Sequence, residues 1–143
     1  RRIRSMSVVN ELINAQGESL EFGNYELGAK TKKDGFEFQG DIYKIKTFNE
    51  ITKLEKNGMF VYESVPGTAV HGFKADENDV TFVVEGPENA SITLELEPET
   101  EYKVHVDDVY VGKNKTNLGG KMSISVDLEE GRPVKVDVKR AFD

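Results

Sequence analysis

Two histidines, His71 and His105, and a scatter of carboxylates are the side chains here with the chemistry for acid–base or metal work. His105 alternates onto the polar face of an expected strand between Lys103 and Asp107. A metal site would need a second ligand at a fitting spacing, and none is visible, so His105 reads as a surface residue in a cross-strand pair. His71 follows Thr68-Ala69-Val70 in another expected strand. Glu63, Glu95, Glu97, Asp107, Asp108 and Asp127 supply carboxylates for a glycosidase-type pair, which needs a cleft and one raised pKa. Their places on wet strand faces and in a turn favour solvated surface instead. Asp76, Asn78 and Asp79 begin like a calcium loop, but Val80 and Thr81 stand where a ligand and a glycine belong, which predicts a plain turn. Ser64 and Ser91 lack a nucleophile elbow. These readings predict no catalytic residue, no metal site and no bound cofactor.

Aromatic side chains are the other chemically informative group. Phe36, Phe38, Tyr43, Phe48, Phe60 and Tyr62 gather in the first half of the chain. Phe60, Tyr62, Tyr43 and Phe48 are the candidate binding surface, because exposed rings serve as sugar-stacking platforms or subunit contacts. Phe60 and Tyr62 alternate with Met59 and Val61; with the latter pair inside, the rings face solvent or a second layer. The competing reading buries that strand on both faces.

The balance of charge narrows the partners. Nineteen basic against 26 acidic residues give a net charge of −7, a poor match for a phosphate backbone. The run Lys30-Thr31-Lys32-Lys33 is too small, and too far from interleaved aromatics, to indicate nucleic acid. The chain has no cysteine and no P-loop or dinucleotide fingerprint. No stretch approaches the roughly 18 apolar residues of a membrane span. With no signal-peptide pattern the compartment defaults to the cytoplasm, with cell-surface or extracellular placement by a signal-less route as the alternative.

These side chains must be carried by strands. Val80, Phe82 and Val84 alternate with polar residues, as do Ile92, Leu94 and Leu96; Tyr102, Val104 and Val106; Met122, Ile124, Val126 and Leu128; and Val134, Val136 and Val138. A period of two with one wet face means antiparallel strands, and several at this spacing predict an all-β sandwich. Asn57-Gly58 joins Ile51–Glu55 to Met59–Val65 as a hairpin. Residues 28–35 read as a charged, glycine-bounded loop. Val8, Val9, Leu12 and Ile13 share one side of a 3.6-residue period, with Ser7 as cap and Gly17 as stop, so a short amphipathic N-terminal helix is expected. The organisation expected is residues 1–5 as an appended or upstream stretch, 6–77 as helix plus hairpin region and 78–140 as sandwich region, with 6–140 as one continuous domain the alternative.

The segment Leu94-Glu95-Leu96-Glu97-Pro98-Glu99-Thr100-Glu101-Tyr102 resembles the corner before a late strand of fibronectin type III and immunoglobulin-like sandwiches. That resemblance covers residues 78–140 and implies that the Tyr102 hydroxyl bonds back to upstream backbone. The run from Phe48 to Thr68, containing Ile51-Thr52-Lys53-Leu54-Glu55-Lys56-Asn57-Gly58-Met59, is similar to that of small clostridial and other gut-bacterial proteins labelled endosialidase. This second resemblance implies a glycan-active, sialidase-like hydrolase. Sialic-acid hydrolases grip the substrate carboxylate with arginine forks, and the arginines here are Arg1, Arg2, Arg4, Arg132 and Arg140. The expectation that leads is therefore a non-catalytic β-sandwich binding or self-assembling module, with a glycan, a protein or a second copy as partner. The glycan-active enzyme is the alternative.

Overall fold

A computed structural model describes residues 8–142. Thirteen strands form: β1 (Ile13–Gln16), β2 (Ser19–Phe22), β3 (Thr31–Phe38), β4 (Asp41–Phe48), β5 (Ile51–Lys56), β6 (Met59–Val65), β7 (Ala69–Ala75), β8 (Asp79–Glu85), β9 (Ala90–Glu95), β10 (Glu101–Val106), β11 (Val109–Lys115), β12 (Lys121–Val126) and β13 (Val134–Arg140). They make a seven-stranded sheet, in the order β1-β2-β7-β8-β13-β10-β11, and a six-stranded one, β12-β9-β6-β5-β4-β3. All pairings are antiparallel. Alternate apolar residues of the two sheets meet in one core, so the architecture is all-β and sandwich-like. Both sheets draw strands from both halves of the chain, and residue 77 lies in the turn of the β7–β8 hairpin. A division between 77 and 78 therefore separates no layers.

The alternation expected after residue 78 is realised in β8, β9, β10, β12 and β13. Asn57 and Gly58 take φ of 52° and 81°, and the hairpin they close is β5–β6. The Tyr102 hydroxyl accepts the Glu97 N–H at 3.2 Å, fixing the segment that carries the chain from β9 in one sheet to β10 in the other.

Two expectations are corrected. The predicted N-terminal helix does not form. Residues 9–12 turn instead, with Leu12 at φ 72°, and β1 follows. The Val9 N–H donates to the Gly23 carbonyl and the Gly23 N–H to the Leu12 carbonyl, both at 3.0 Å. These bonds strap the segment to the end of β2. Of the apolar residues read as a helical stripe, Val8, Val9 and Ile13 are still buried, Ile13 completely, and Leu12 packs partly buried against the main core. The proposed cap, Ser7, and residues 1–5 lie outside the described residues. The charged loop of 28–35 is corrected as well: from Thr31 it is β3, paired with β4 and interrupted by a bulge between Lys33 and Phe36. The neighbouring strand supplies an order that its own composition does not.

One end of the sandwich is closed by hydroxyl groups. Thr47, Thr52, Ser64, Thr68 and Tyr62 are buried there. The Thr52 hydroxyl donates to the Thr68 carbonyl at 2.9 Å, so in its 2.7 Å contact with Thr47 it must accept. Thr52 also accepts the Thr68 N–H at 3.1 Å, and Thr47 accepts the Asn24 N–H at 3.0 Å. The Thr68 hydroxyl meets Tyr62 and Ser64, each at 2.8 Å. Glycines let the backbones close around this chain. A Cβ at Gly23 would strike the Thr68 carbonyl oxygen, and one at Gly67 the Phe48 carbonyl oxygen. Above it, the Tyr62 ring packs edge-on to Phe22 at 5.2 Å and to Phe82 at 5.7 Å, and Phe73 stands edge-on to Phe22 at 5.5 Å.

Thr52→Val keeps the shape but leaves the Thr68 carbonyl and N–H and the Thr47 hydroxyl without their partner. Urea denaturation is expected to show a loss of about 1–3 kcal/mol. Thr93→Val, which breaks only the exposed 2.7 Å contact with Ser123, should stay within about 0.5 kcal/mol of the parent.

Candidate binding cleft at the open end

The opposite end is where the hairpin tips gather. The β3–β4 turn at Gln39, the β5–β6 turn at Asn57 and the β7–β8 turn at Asp76–Asn78 line one cleft with the β9–β10 crossing at Leu96 and Glu97. Its volume is about 880 Å³, within the range of small-ligand sites. Phe38, Tyr43, Phe60, Phe73 and Tyr102 line it among the apolar residues. Lys56, Lys74, Glu95, Asn57 and Asn78 supply charges and amides. Burial, and then the nearby Asp41 carboxylate, pushes the Tyr43 phenol up, so it stays a neutral hydroxyl at physiological pH.

The rim is ordered by its own polar groups. The Asp76 carboxylate accepts the N–H groups of Asn78 and Asp79, both at 2.8 Å, and the first of these bonds does most to hold its pKa down. This is the plain turn expected from the sequence. Across the β5–β6 mouth, the Asn57 side-chain amide donates to Asp41 at 2.8 Å, and its oxygen accepts the Ile42 N–H at 3.0 Å. Glu95 pairs with Lys121 at 3.5 Å.

Of the four aromatic residues singled out by sequence, the structure brings two to the cleft. Tyr43 contributes to its wall, while Phe60 stands at its lip, half-buried, with the ammonium groups of Lys121 and Lys53 at 4.8 and 5.8 Å from its ring centroid. Tyr62 is fully buried in the core, and Phe48 belongs to the closed end, where its carbonyl abuts Gly67. A bulge explains why alternation misplaces the pair in β6. Leu54 faces Tyr62 and Glu55 faces Phe60, so Val61 has no partner across the ladder. Met59 is 64% exposed at the mouth of the cleft. Phe73, Leu94 and Tyr102 line the cleft as well; alternation marks Leu94 and Tyr102 only as inward strand positions, and the sequence reading does not single out Phe73. Antiparallel pairing puts alternate turns at one end, and that is the signal by which Gln39, Asn57 and Asp76 could have been grouped.

The remaining titratable candidates sit elsewhere. His105 lies against Tyr110, ring centroids 5.5 Å apart, as a cross-strand pair, and its Nδ1 is buried without a hydrogen-bond partner. Asp107 accepts the Lys135 N–H at 2.9 Å, and Asp108 pairs with Lys135 at 3.3 Å. Glu63 lies opposite Lys53 in the six-stranded sheet. His71 Nδ1 is 3.1 Å from Glu21, and the Tyr25 hydroxyl donates to Glu130 at 3.1 Å. Burial pushes the nearby Glu85 carboxyl up, His71 pulls against it and Glu130 adds to it. Among the described residues, no group of three or more His, Asp or Glu is arranged for a metal ion, and no helix is long and apolar enough to cross a membrane. Comparison with protein-family models, curated proteins and solved structures finds no match for the chain.

Because the folded-state pKa of Glu85 is raised, its contribution to stability is fully present below the ordinary carboxylate range. It is lost as pH rises through the raised value. Glu85→Gln should therefore stabilise the protein near pH 7, by less than about 1 kcal/mol because the site is part-exposed and screened. Denaturation repeated below the ordinary carboxylate range should show no such gain.

Proposed function

We propose that this protein is a non-catalytic binding module that seats a glycan in the open-end cleft. The observation that carries this reading is the cleft itself: a concavity between the sheet ends, walled by aromatic and aliphatic side chains and bordered by amides and charges in fixed turns. Sugar rings offer an apolar face for stacking and hydroxyls for amides and carboxylates. Phe60 is the stacking platform of this proposal, and the Tyr43 hydroxyl a neutral hydrogen-bonding group behind it. Kinship of residues 78–140 with fibronectin III or immunoglobulin-like sandwiches fits the same reading, supported by the Tyr102 hydroxyl bound back to Glu97. Binding is preferred to sialidase-like hydrolysis because, among the described residues, the carboxyl group that burial raises, Glu85, lies outside the cleft lining.

A glycan array probed with the purified protein, followed by calorimetry on the best binder, tests this. Phe60→Ala should weaken binding about tenfold, the scale of one lost aromatic contact, with an unchanged circular dichroism spectrum. Equal affinity in the variant, or no glycan bound, would count against the reading.

Self-assembly is the second reading, and one feature favours it. β11 is an edge strand of the seven-stranded sheet, and Val109, Tyr110 and Val111 are 62%, 53% and 58% exposed. Three successive large apolar residues beside an open hydrogen-bonding edge invite a further strand. Lys113 and Lys115 charge only its far half. Light scattering at high concentration should give the mass of a dimer, and Val111→Lys the mass of a monomer. A monomeric parent would remove this reading.

A further inference from the structure

The outer face of the six-stranded sheet carries a row of like charges that the linear sequence conceals. In the β3–β4 register Lys32 lies directly opposite Lys46, and in the β4–β5 register Lys46 lies directly opposite Lys53. Three lysines thus stand side by side across three strands, in a chain whose net charge is −7. Lys44, two residues along β4, joins the same face, and a small recess of about 60 Å³ is lined by Lys32, Lys44, Lys46, Lys53 and Glu55. That is several times the space one water requires. Like charges directly opposed across a sheet repel, and the fold itself gains nothing from the row. Glu55 pairs with Lys53 at 3.6 Å, and Glu63 lies opposite Lys53, so the carboxylates of this face gather at the β5–β6 side. Lys46, at the centre, and Lys32 have no such facing partner in the registers that bring them together.

We infer that the Lys32–Lys44–Lys46–Lys53 recess is an oxyanion site, taking a phosphate or sulfate group either free or as an ester on a larger molecule. A compact dianion accepts hydrogen bonds from several ammonium groups at once, and lysine meets such groups as a mobile point charge. Local charge governs this site, because the acidic remainder of the surface is screened beyond roughly 8–10 Å at physiological salt. Burial, and then Lys30, Lys53 and Lys32, hold the Lys46 amine below its ordinary range, while Glu63 opposes them. A bound anion relieves that repulsion. The recess adjoins the cleft through Lys53, whose ammonium also stands 5.8 Å from the Phe60 ring centroid, but the anion reading does not need the glycan one.

Titration of the whole protein with sodium phosphate and with sodium sulfate tests the inference, followed by carbon NMR of the lysine Cε groups at constant ionic strength held with chloride. The Cε signals of Lys32, Lys46 and Lys53 should move together and saturate at one dissociation constant. Lys46→Gln should weaken binding about tenfold or more, the scale of one charge-assisted hydrogen bond. Lys46→Arg should retain it, as should Lys103→Gln on the other sheet. Shifts that chloride reproduces, or an unchanged affinity in a folded Lys46→Gln, would overturn the site. Dextran sulfate, compared with unsubstituted dextran, separates the sources. Tighter binding per sulfate than the free ion assigns polymer-borne esters, equal or weaker binding assigns a free anion, and saturation with none of the three anions overturns the site.

Discussion

The closed end of this sandwich depends on one threonine. The backbone of Thr68 exchanges hydrogen bonds with the Thr52 hydroxyl, and its own hydroxyl meets Tyr62 and Ser64. Buried polar groups are costly unless every one is paired, and full pairing makes such a set specific about geometry. Here the set ties β4, β5 and β6 to the first residues leading into β7, the strand with which the chain returns to the seven-stranded sheet. The glycines at 23, 67 and 86 are part of the same constraint. Side chains there would push on Thr68, on Leu128 or on the Phe48 carbonyl. Burial of the Tyr62 ring in the aromatic core follows from the same anchor, because its hydroxyl reaches Thr68 only from inside.

Tight closure at one end permits an opening at the other. The sheets are held together at the Thr68 end by hydroxyls and close backbones, and in the middle by edge-on rings. Towards the hairpin tips the polar turns take over, and the core gives way to the cleft. Phe73 and Tyr102 belong to both: each is buried in the core and each lines the cavity. The floor of the cleft is thus built from the same side chains that fill the core.

Most of the strands were legible in sequence because one face of each is wet. β8, β9, β10, β12 and β13 follow a strict alternation, and Asn57-Gly58 signals its hairpin through the positive φ both residues accept. What was not legible is what a partner strand decides. Val8, Val9, Leu12 and Ile13 suit a helical stripe as well as a turn and a strand, and the bonds to Gly23 settle the matter. Residues 28–35 read as a loop until β4 lies beside Thr31, Lys32 and Lys33. The unpaired Val61 breaks the alternation that would have placed Phe60 and Tyr62 on one face. The lysine row is a property of register across three strands and is invisible in any one of them.

The position of β13 has a consequence for how the protein is made. The last of the described strands sits in the interior of the seven-stranded sheet, between β8 and β10. During synthesis, β1, β2, β7 and β8 can assemble, and β10 and β11 can pair with each other, but the strand that joins the two groups leaves the ribosome after all of them. A nascent chain therefore carries two unfinished sheet edges, on β8 and β10, until Val134–Arg140 emerges. Completion of the fold is a late event, governed by contacts between residues far apart in sequence, and such topologies fold slowly. The period before β13 arrives is when this molecule is most open to pairing with the wrong strand.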